Sequence, residues 1–161
     1  MKIKTSWARL ILASKVGAQY LKEHPEKTKL EYAIQRSLPR IAKTNDELQE
    51  LLDGIDADHA VTGKVGGVEG VILRSPQNMY QFKPEQQRAC NAARRKLLSD
   101  PEGVEIDAYF AITVPDGIAE TYLDAFEGII IRPEDVERIR AAREAEPEIQ
   151  EGDERTPVQV Q

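Results

Sequence analysis

The chain has 161 residues, of which 40% are hydrophobic and 6% aromatic, and its formal net charge is −6. That length suits one domain with a modest core. Cys90 is the only cysteine, which excludes an intramolecular disulfide and a cysteine-based zinc site, and no apolar run approaches the length of a membrane span. We therefore expect a soluble protein made in the cytoplasm, without a signal peptide.

The charge is unevenly distributed along the sequence. Residues 1–100 hold 17 Lys and Arg against 12 Asp and Glu, whereas residues 101–161 hold 5 against 16. Residues 1–44 are the most basic part, with 10 against 3. Such asymmetry is typical of head-to-tail assembly or of nucleic-acid contact by one end, and equally of a solvated surface.

The first predicted element is a helix over residues 6–22, with Thr5 or Ser6 as its candidate N-cap. Pro25 disfavours helical backbone at His24, so the helix should end there. Apolar residues recur at roughly helical spacing: Trp7, Leu10, Ile11, Ala18 and Leu21.

A second helix is predicted from about Thr28 to Ile55, because apolar residues form a ladder with seven-residue spacing. Its two rows are Ile34, Ile41, Leu48 and Ile55, and Leu38, Asn45, Leu52 and His59. Pro39 costs about 3 kcal/mol inside a helix, so the chain either kinks there or starts a new helix capped by Ser37 or Thr44. The unbroken ladder favours one kinked helix. We expect it to pack on the first helix rather than in an intermolecular coiled coil.

Residues 60–82 are rich in glycine and valine, which predicts a mobile loop leading into a strand over 70–74. Ser75-Pro76-Gln77-Asn78 has the composition of a type I turn, so residues 79–82 should return as the second strand of a hairpin.

Further elements follow at turns that contain proline and glycine. Pro84 predicts the start of a third helix. Alternating apolar residues over 104–112 predict a strand with one buried and one solvent-exposed face. A short helix over 118–126, a strand over 129–131 and a polar helix over 133–145 complete the pattern.

These elements predict an α+β protein. It should combine N-terminal helices, including the long kinked one, with a small antiparallel sheet of hairpin plus strand and a polar C-terminal helix. We expect residues 1–145 to form a single α+β domain, with a helical part at 5–57 and a mixed part at 68–145. Residues 146–161 form an acidic extended tail, whose composition predicts disorder in isolation.

No catalytic constellation is visible in the sequence. Asp56-Ala57-Asp58-His59 has too few ligands for calcium or zinc, and the glycines of 63–70 fit no phosphate-binding motif. Cys90 lies between apolar helix positions and should belong to the core, while Glu105 and Asp107 should line the wet face of a strand. We therefore predict no enzyme activity, no cofactor and no metal site.

Binding residues are predicted at two places. Arg88, Arg94, Arg95 and Lys96 gather on the third helix, and Arg88, Arg95 and Lys96 are its candidate partner-binding residues. Because no aromatic residues interleave with them, we expect a protein partner rather than nucleic acid. In the tail, Val158 and Val160 could add as a strand to a neighbouring sheet edge.

Several segments resemble small uncharacterised proteins encoded by tailed bacteriophages. Residues 30–38, with Tyr-Ala-Ile-Gln-Arg-Ser-Leu, resemble a helix of that family, and residues 92–98 resemble its following Lys/Arg/Leu-rich helix. Residues 104–107 and 132–135 resemble its acidic β segment and its closing helix. The glycine-rich segment 63–70 and the acidic tail depart from that pattern.

The resemblance implies a phage origin and a gene in or near the late, virion-forming region. We accordingly expect a non-enzymatic protein that contacts other subunits, its own copies or virion proteins, as a minor virion or tail-assembly component. The alternative is a host-directed inhibitor that binds a bacterial defence or transcription protein. Both would be made in the host cytoplasm, and the first would also be found in the virion. Neither requires a membrane.

Overall fold

The structure is a computed structural model that describes residues 1–145. In chain order the elements are β1 (Lys2–Thr5), α1 (Trp7–Glu23), α2 (Lys29–Ala42), α3 (Asn45–His59), β2 (Thr62–Val65), β3 (Val68–Ile72), α4 (Pro84–Ser99), β4 (Val104–Asp107), α5 (Glu120–Phe126) and α6 (Pro133–Ala145). The predicted α+β class is therefore confirmed. The tail, with Val158 and Val160, lies outside the described residues.

Helix α1 begins and ends close to its predicted bounds. Ser6 is the N-cap, and its hydroxyl accepts a hydrogen bond from the backbone N–H of Arg9 at 3.2 Å. The buried face differs from the predicted stripe, because Ile11 and Ala18 are exposed. The side chains that α1 buries are Trp7, Leu10, Ala13, Val16 and Tyr20.

Helices α2 and α3 form one bent helix, as predicted, but the bend is not at Pro39. That residue is exposed within α2, and the bend lies at Lys43–Thr44. There the N–H of Thr44 bonds the carbonyl of Ile41 at 3.0 Å, a tighter i→i+3 turn. The Thr44 hydroxyl donates to the same carbonyl at 2.6 Å and makes no capping bond. Competition of this kind for a backbone carbonyl bends helices.

The apolar ladder of this bent helix faces the protein's own core. Ile34, Ile41 and Leu48 are at most 5% exposed, whereas Asn45 is exposed. Helix α2 packs on α1, and α3 packs on α4. The ladder is thus intramolecular, as preferred from the sequence.

The strands form two separate sheets rather than the one predicted. β4 pairs antiparallel with β1, a strand that the sequence did not reveal, and Ile3 lies opposite Ile106. β4 ends at Asp107, short of the predicted end at Ile112, whose side chain is 73% exposed.

The other sheet is the β2–β3 hairpin, which occupies most of the predicted mobile loop. Gly66 and Gly67 join its strands with φ values of 58° and 85°. Positive φ at both residues is the signature of a two-residue type I′ turn, which glycine adopts without strain. The predicted turn at 75–78 is present, with the N–H of Asn78 donating to the Ser75 carbonyl at 2.8 Å. It supports only a single bridge, Arg74 to Tyr80, instead of a full hairpin.

Helices α5 and α6 close the core. The predicted strand at 129–131 is wrong, because the three isoleucines there form a tight turn whose N–H groups all donate to the Phe126 carbonyl. All three are at most 1% exposed. Arg140 of α6 pairs with Glu120 and Asp124 of α5 and fixes α6 to it. None of the helices in residues 1–145 combines the length and apolar character needed to cross a bilayer.

Candidate interaction surfaces

The predicted basic face of α4 is present. Arg88, Arg95 and Lys96 are all exposed, and no carboxylate among residues 1–145 lies within salt-bridge distance of them. Arg94 turns inward instead, and its Nη1 contacts both carboxylate oxygens of Asp56 at 2.7 and 2.8 Å. The basic run thus splits into three solvated cations and one that joins α4 to α3.

Cys90 lies beside that pair and is 1% exposed. Its Sγ donates a hydrogen bond to Asp56 Oδ1 at 3.2 Å. Burial and the neighbouring Asp56 carboxylate raise the pKa of the Cys90 thiol, despite the opposing charge of Arg94. A nucleophilic cysteine needs the opposite shift, so this geometry fits a structural thiol, as the sequence predicted.

The remaining candidate acid and metal residues are engaged elsewhere. Nδ1 of His59 donates to the Ile55 carbonyl at 2.7 Å, which holds the ring against its own helix. Asp107 accepts a hydrogen bond from the Met1 amine at 2.9 Å, and Glu105 lies 3.8 Å from the Lys2 ammonium. Within residues 1–145, no three His, Cys, Asp or Glu side chains converge on a possible metal position.

The β2–β3 hairpin forms a surface of its own, which we call the arm and define as residues 62–72. None of these residues is buried, and the side chains of Val65 and Val68 next to the turn are 52% and 60% exposed. The chain packs closely at Gly63, where an added Cβ would lie 3.0 Å from the Leu73 side chain. The arm is therefore a hairpin that presents two apolar side chains to solvent.

A second surface lies on the outer face of α2, which we call the tyrosine–arginine cluster: Tyr32, Arg36, Arg40 and Tyr109. The rings of Tyr32 and Tyr109 meet edge to face, with centroids 5.7 Å apart and planes at 73°. The Arg36 guanidinium lies over both rings, 5.6 Å from one centroid and 5.8 Å from the other. Arg40 lies over Tyr109 at 5.8 Å and donates to the Asp107 carbonyl at 2.8 Å.

Sequence reasoning missed this cluster. Tyr32, Arg36 and Arg40 are spaced by four residues, so their common helix face was visible in the sequence. Tyr109 was not, because it follows β4 and reaches α2 only through the fold. That contact places an aromatic ring between two arginines.

A partly enclosed hollow lies between α1 and the bend of the long helix. It holds about 250 Å³ and is lined mainly by α1 and by the first turn of α3. The exposed Ile11 and the buried Trp7 contribute its apolar wall, and Lys15 is its only charged residue. This volume is below that of typical ligand pockets.

Comparison of the chain with protein-family models, curated proteins and solved structures found no match. The resemblance to small bacteriophage proteins therefore stays a prediction. Function has to be argued from the fold and from the three surfaces described above.

Proposed function

We propose that this chain is a non-enzymatic protein that acts by binding other proteins, with the arm as its main contact. The observation that carries the proposal is the exposure of Val65 and Val68 at 52% and 60% on a hairpin without buried residues. An isolated two-stranded hairpin is marginally stable in water, so packing against another surface stabilises it. Such packing also buries the apolar surface of Val65 and Val68, which is favourable.

The partner that fits the arm is a protein subunit, which includes a second copy of this chain. Both strands of a two-stranded sheet are edge strands, and an edge strand can pair with an extended segment of another chain. Arg88, Arg95 and Lys96 provide a separate solvated basic face that suits an acidic region of such a subunit.

Light scattering at two protein and two salt concentrations tests self-association. If the arm joins two copies, the oligomer should dissociate in V65S/V68S but not in the control L12S, which removes an apolar side chain that is 46% exposed on α1. Loss of the oligomer in L12S alone would contradict the role of the arm.

If the protein is monomeric, a photo-crosslinking residue at position 65 tests for another partner in producing cells. The expected result is one defined protein adduct, absent when the same residue is placed at position 12. Adducts equal at both positions, together with a monomer at all concentrations, would contradict the proposal.

The finer form of the proposal is a minor virion or tail-assembly component of a tailed bacteriophage, made in the host cytoplasm and carried in the virion. It rests on the resemblance of residues 30–38 and 92–98 to small phage proteins. Mass spectrometry of purified virions tests it: peptides of this chain are expected, and their absence would overturn the virion location.

A further inference from the structure

We propose that the outer face of α2 binds single-stranded nucleic acid, with Tyr32 as the stacking platform for a base. This surface is distinct from the arm and goes beyond the proposed protein binding. The sequence predicted a protein partner rather than nucleic acid, because no aromatic residue interleaves with the arginines of α4. On α2 the fold satisfies that criterion, since Arg36 lies over the rings of both Tyr32 and Tyr109.

The cations of this face lie along one line. Lys29, Arg36, Arg40 and Lys43 follow at intervals of seven, four and three residues, which places them on the same side of α2. At about 1.5 Å per residue, the line from Lys29 to Lys43 spans about 21 Å. A stacked strand places roughly six phosphates along that distance.

Two carboxylates lie near these cations and keep their charge: Glu31 is hydrogen-bonded by a neutral amide, and Asp107 offsets part of the charge of Arg40. Glu31 accepts a hydrogen bond from the Gln35 side chain at 2.6 Å. Asp107 accepts from the Met1 amine and lies 3.7 Å from Arg40. Lys29, Arg36 and Lys43 have no carboxylate within salt-bridge distance among residues 1–145. A polyanion therefore gains these three cations without displacing an existing pair.

The stacking surface is held in place before a ligand arrives. Tyr32 is 46% exposed, and its ring is fixed by the edge-to-face contact with Tyr109. The carbonyl of Tyr109 accepts from the buried Ser37 hydroxyl at 3.4 Å. Because these groups are already ordered, binding loses little further side-chain entropy.

Two shallow depressions continue the face on either side of the cluster. Lys27, Lys29, Glu31, Tyr32 and Thr113 contribute to the first, and Arg40 and Lys43 line the second together with Glu105 and Asp107. An open, cation-flanked platform suits a strand whose bases are unpaired, because a base in a duplex cannot stack on a protein ring. An acidic peptide would use the cations but has no flat group for Tyr32.

Fluorescence anisotropy with oligothymidylate and oligouridylate probes of about 12 nucleotides tests the proposal. Binding is expected in the micromolar to hundred-micromolar range at low salt, with a duplex of the same length binding more weakly. Four phosphate contacts predict a slope of about −3 for the logarithm of the binding constant against that of salt, or about 50-fold weaker binding on a fourfold rise in salt.

Variants separate stacking from charge. Y32A should weaken binding by about 5- to 150-fold without changing the salt slope, and Y32F should retain the affinity. K29Q/K43Q should reduce the size of the slope by about 1.4. The matched control R88Q/R95Q removes the same number of charges from α4 and should change neither quantity.

Four outcomes would overturn the proposal: no binding of either oligonucleotide at low salt, equal or tighter binding of the duplex, no effect of Y32A, or an equal loss in R88Q/R95Q. A peptide with the sequence of residues 146–161 serves as the acidic competitor, since it carries five carboxylate side chains and one arginine. If it binds as tightly as the oligonucleotides and with the same dependence on Tyr32, the face is a protein-binding site instead.

Discussion

Glu23 and Tyr122 meet across the packed ends of α1 and α5, where the phenol donates to the carboxylate at 2.7 Å. Hydrogen bonds from Gln19 and from Tyr122 lower the pKa of Glu23. The same contact, together with burial, raises the pKa of Tyr122. Neither partner could be paired from the sequence, since 99 residues separate them, and only the packing of two helices brings them together.

This pair predicts a pH dependence of stability with two limits. Glu23 binds its proton less readily in the folded state, so its contribution is complete above its ordinary pKa of 4.5 and is lost as the pH falls through the lower folded pKa. Tyr122 contributes below its ordinary pKa of 10.0, and this contribution is lost as the pH rises through the higher folded pKa. Urea unfolding across pH should show a smaller fall in the free energy of unfolding at both low and high pH in E23Q and in Y122F. An unchanged pH dependence in both variants would contradict the role of the contact.

Cys90 predicts the behaviour of a buried thiol. Because the thiol is 1% exposed and its pKa is raised, the native protein should react with iodoacetamide far more slowly than the urea-unfolded chain does. The D56N variant removes the carboxylate and tests the electrostatic part, since it should lower the pKa of Cys90. Mass spectrometry of alkylated peptides gives the rates. Equal rates for native and unfolded protein would show that the α3–α4 contact opens readily.

Elements with their own periodicity were predictable, and those that depend on a distant partner were not. The ladder of the bent helix, the cap at Ser6 and the helix start at Pro84 are local signals that the sequence predicted, although the bend itself was misplaced. β1 was missed because four residues cannot show a clear alternation, and its identity comes from pairing with β4. The isoleucines at 129–131 have strand composition, yet a turn buries them equally well.

The arm was misjudged for a related reason. Glycine permits both mobility and the sharp turn of a hairpin, and composition alone does not separate the two. Gly66 and Gly67 adopt the positive φ values that the turn requires, whereas Gly63 allows the backbone to pack closely against Leu73. The exposed valines of the candidate site were visible in the sequence, but their place beside a turn was not.

The bend at Lys43–Thr44 predicts that Pro39 is dispensable. P39A restores an N–H donor in an exposed helix interior, so it should raise the free energy of unfolding by about 1 to 2 kcal/mol after allowance for the freer unfolded chain. T44V removes the hydroxyl contact with Ile41 and should lower it by about 1 kcal/mol. Urea titration of both variants provides the comparison. A destabilised P39A would show instead that proline shapes the bent helix.

At the scale of the whole molecule, the core and the arm differ in how they are stabilised. The core draws on α1, the bent helix, α5 and α6, while the arm adds no buried residue to it. The two halves of the bent helix also differ in charge. Helix α3 carries six acidic residues and no Lys or Arg, whereas α2 carries the line of cations from Lys29 to Arg40. The charge distribution along the sequence had indicated only that the N-terminal part is basic and the C-terminal part acidic.

Two glycine substitutions should separate core from arm. A Cβ at Gly17 would lie 3.2 Å from the side chains of both Ile34 and Leu38, so G17V should overpack the α1–α2 contact and cost about 1 to 3 kcal/mol. G67V places a β-branched residue at φ 85° with open space around it. G67V should lower the protection of amides from hydrogen exchange within residues 62–72 and leave the free energy of global unfolding almost unchanged. A large loss of global stability in G67V would show that arm and core unfold together.

The pairing of β1 with β4 has a consequence for synthesis. Thr5 lies opposite Val104, so β1 leaves the ribosome about a hundred residues before its partner strand does. At about 5 to 20 residues per second, the nascent chain carries that strand unpaired for roughly 5 to 20 s. During this interval α1 and the bent helix can already pack on each other, whereas the sheet that ties the start of the chain to its second half cannot form. The β1–β4 pairing therefore has to wait until the second half of the chain has been synthesised.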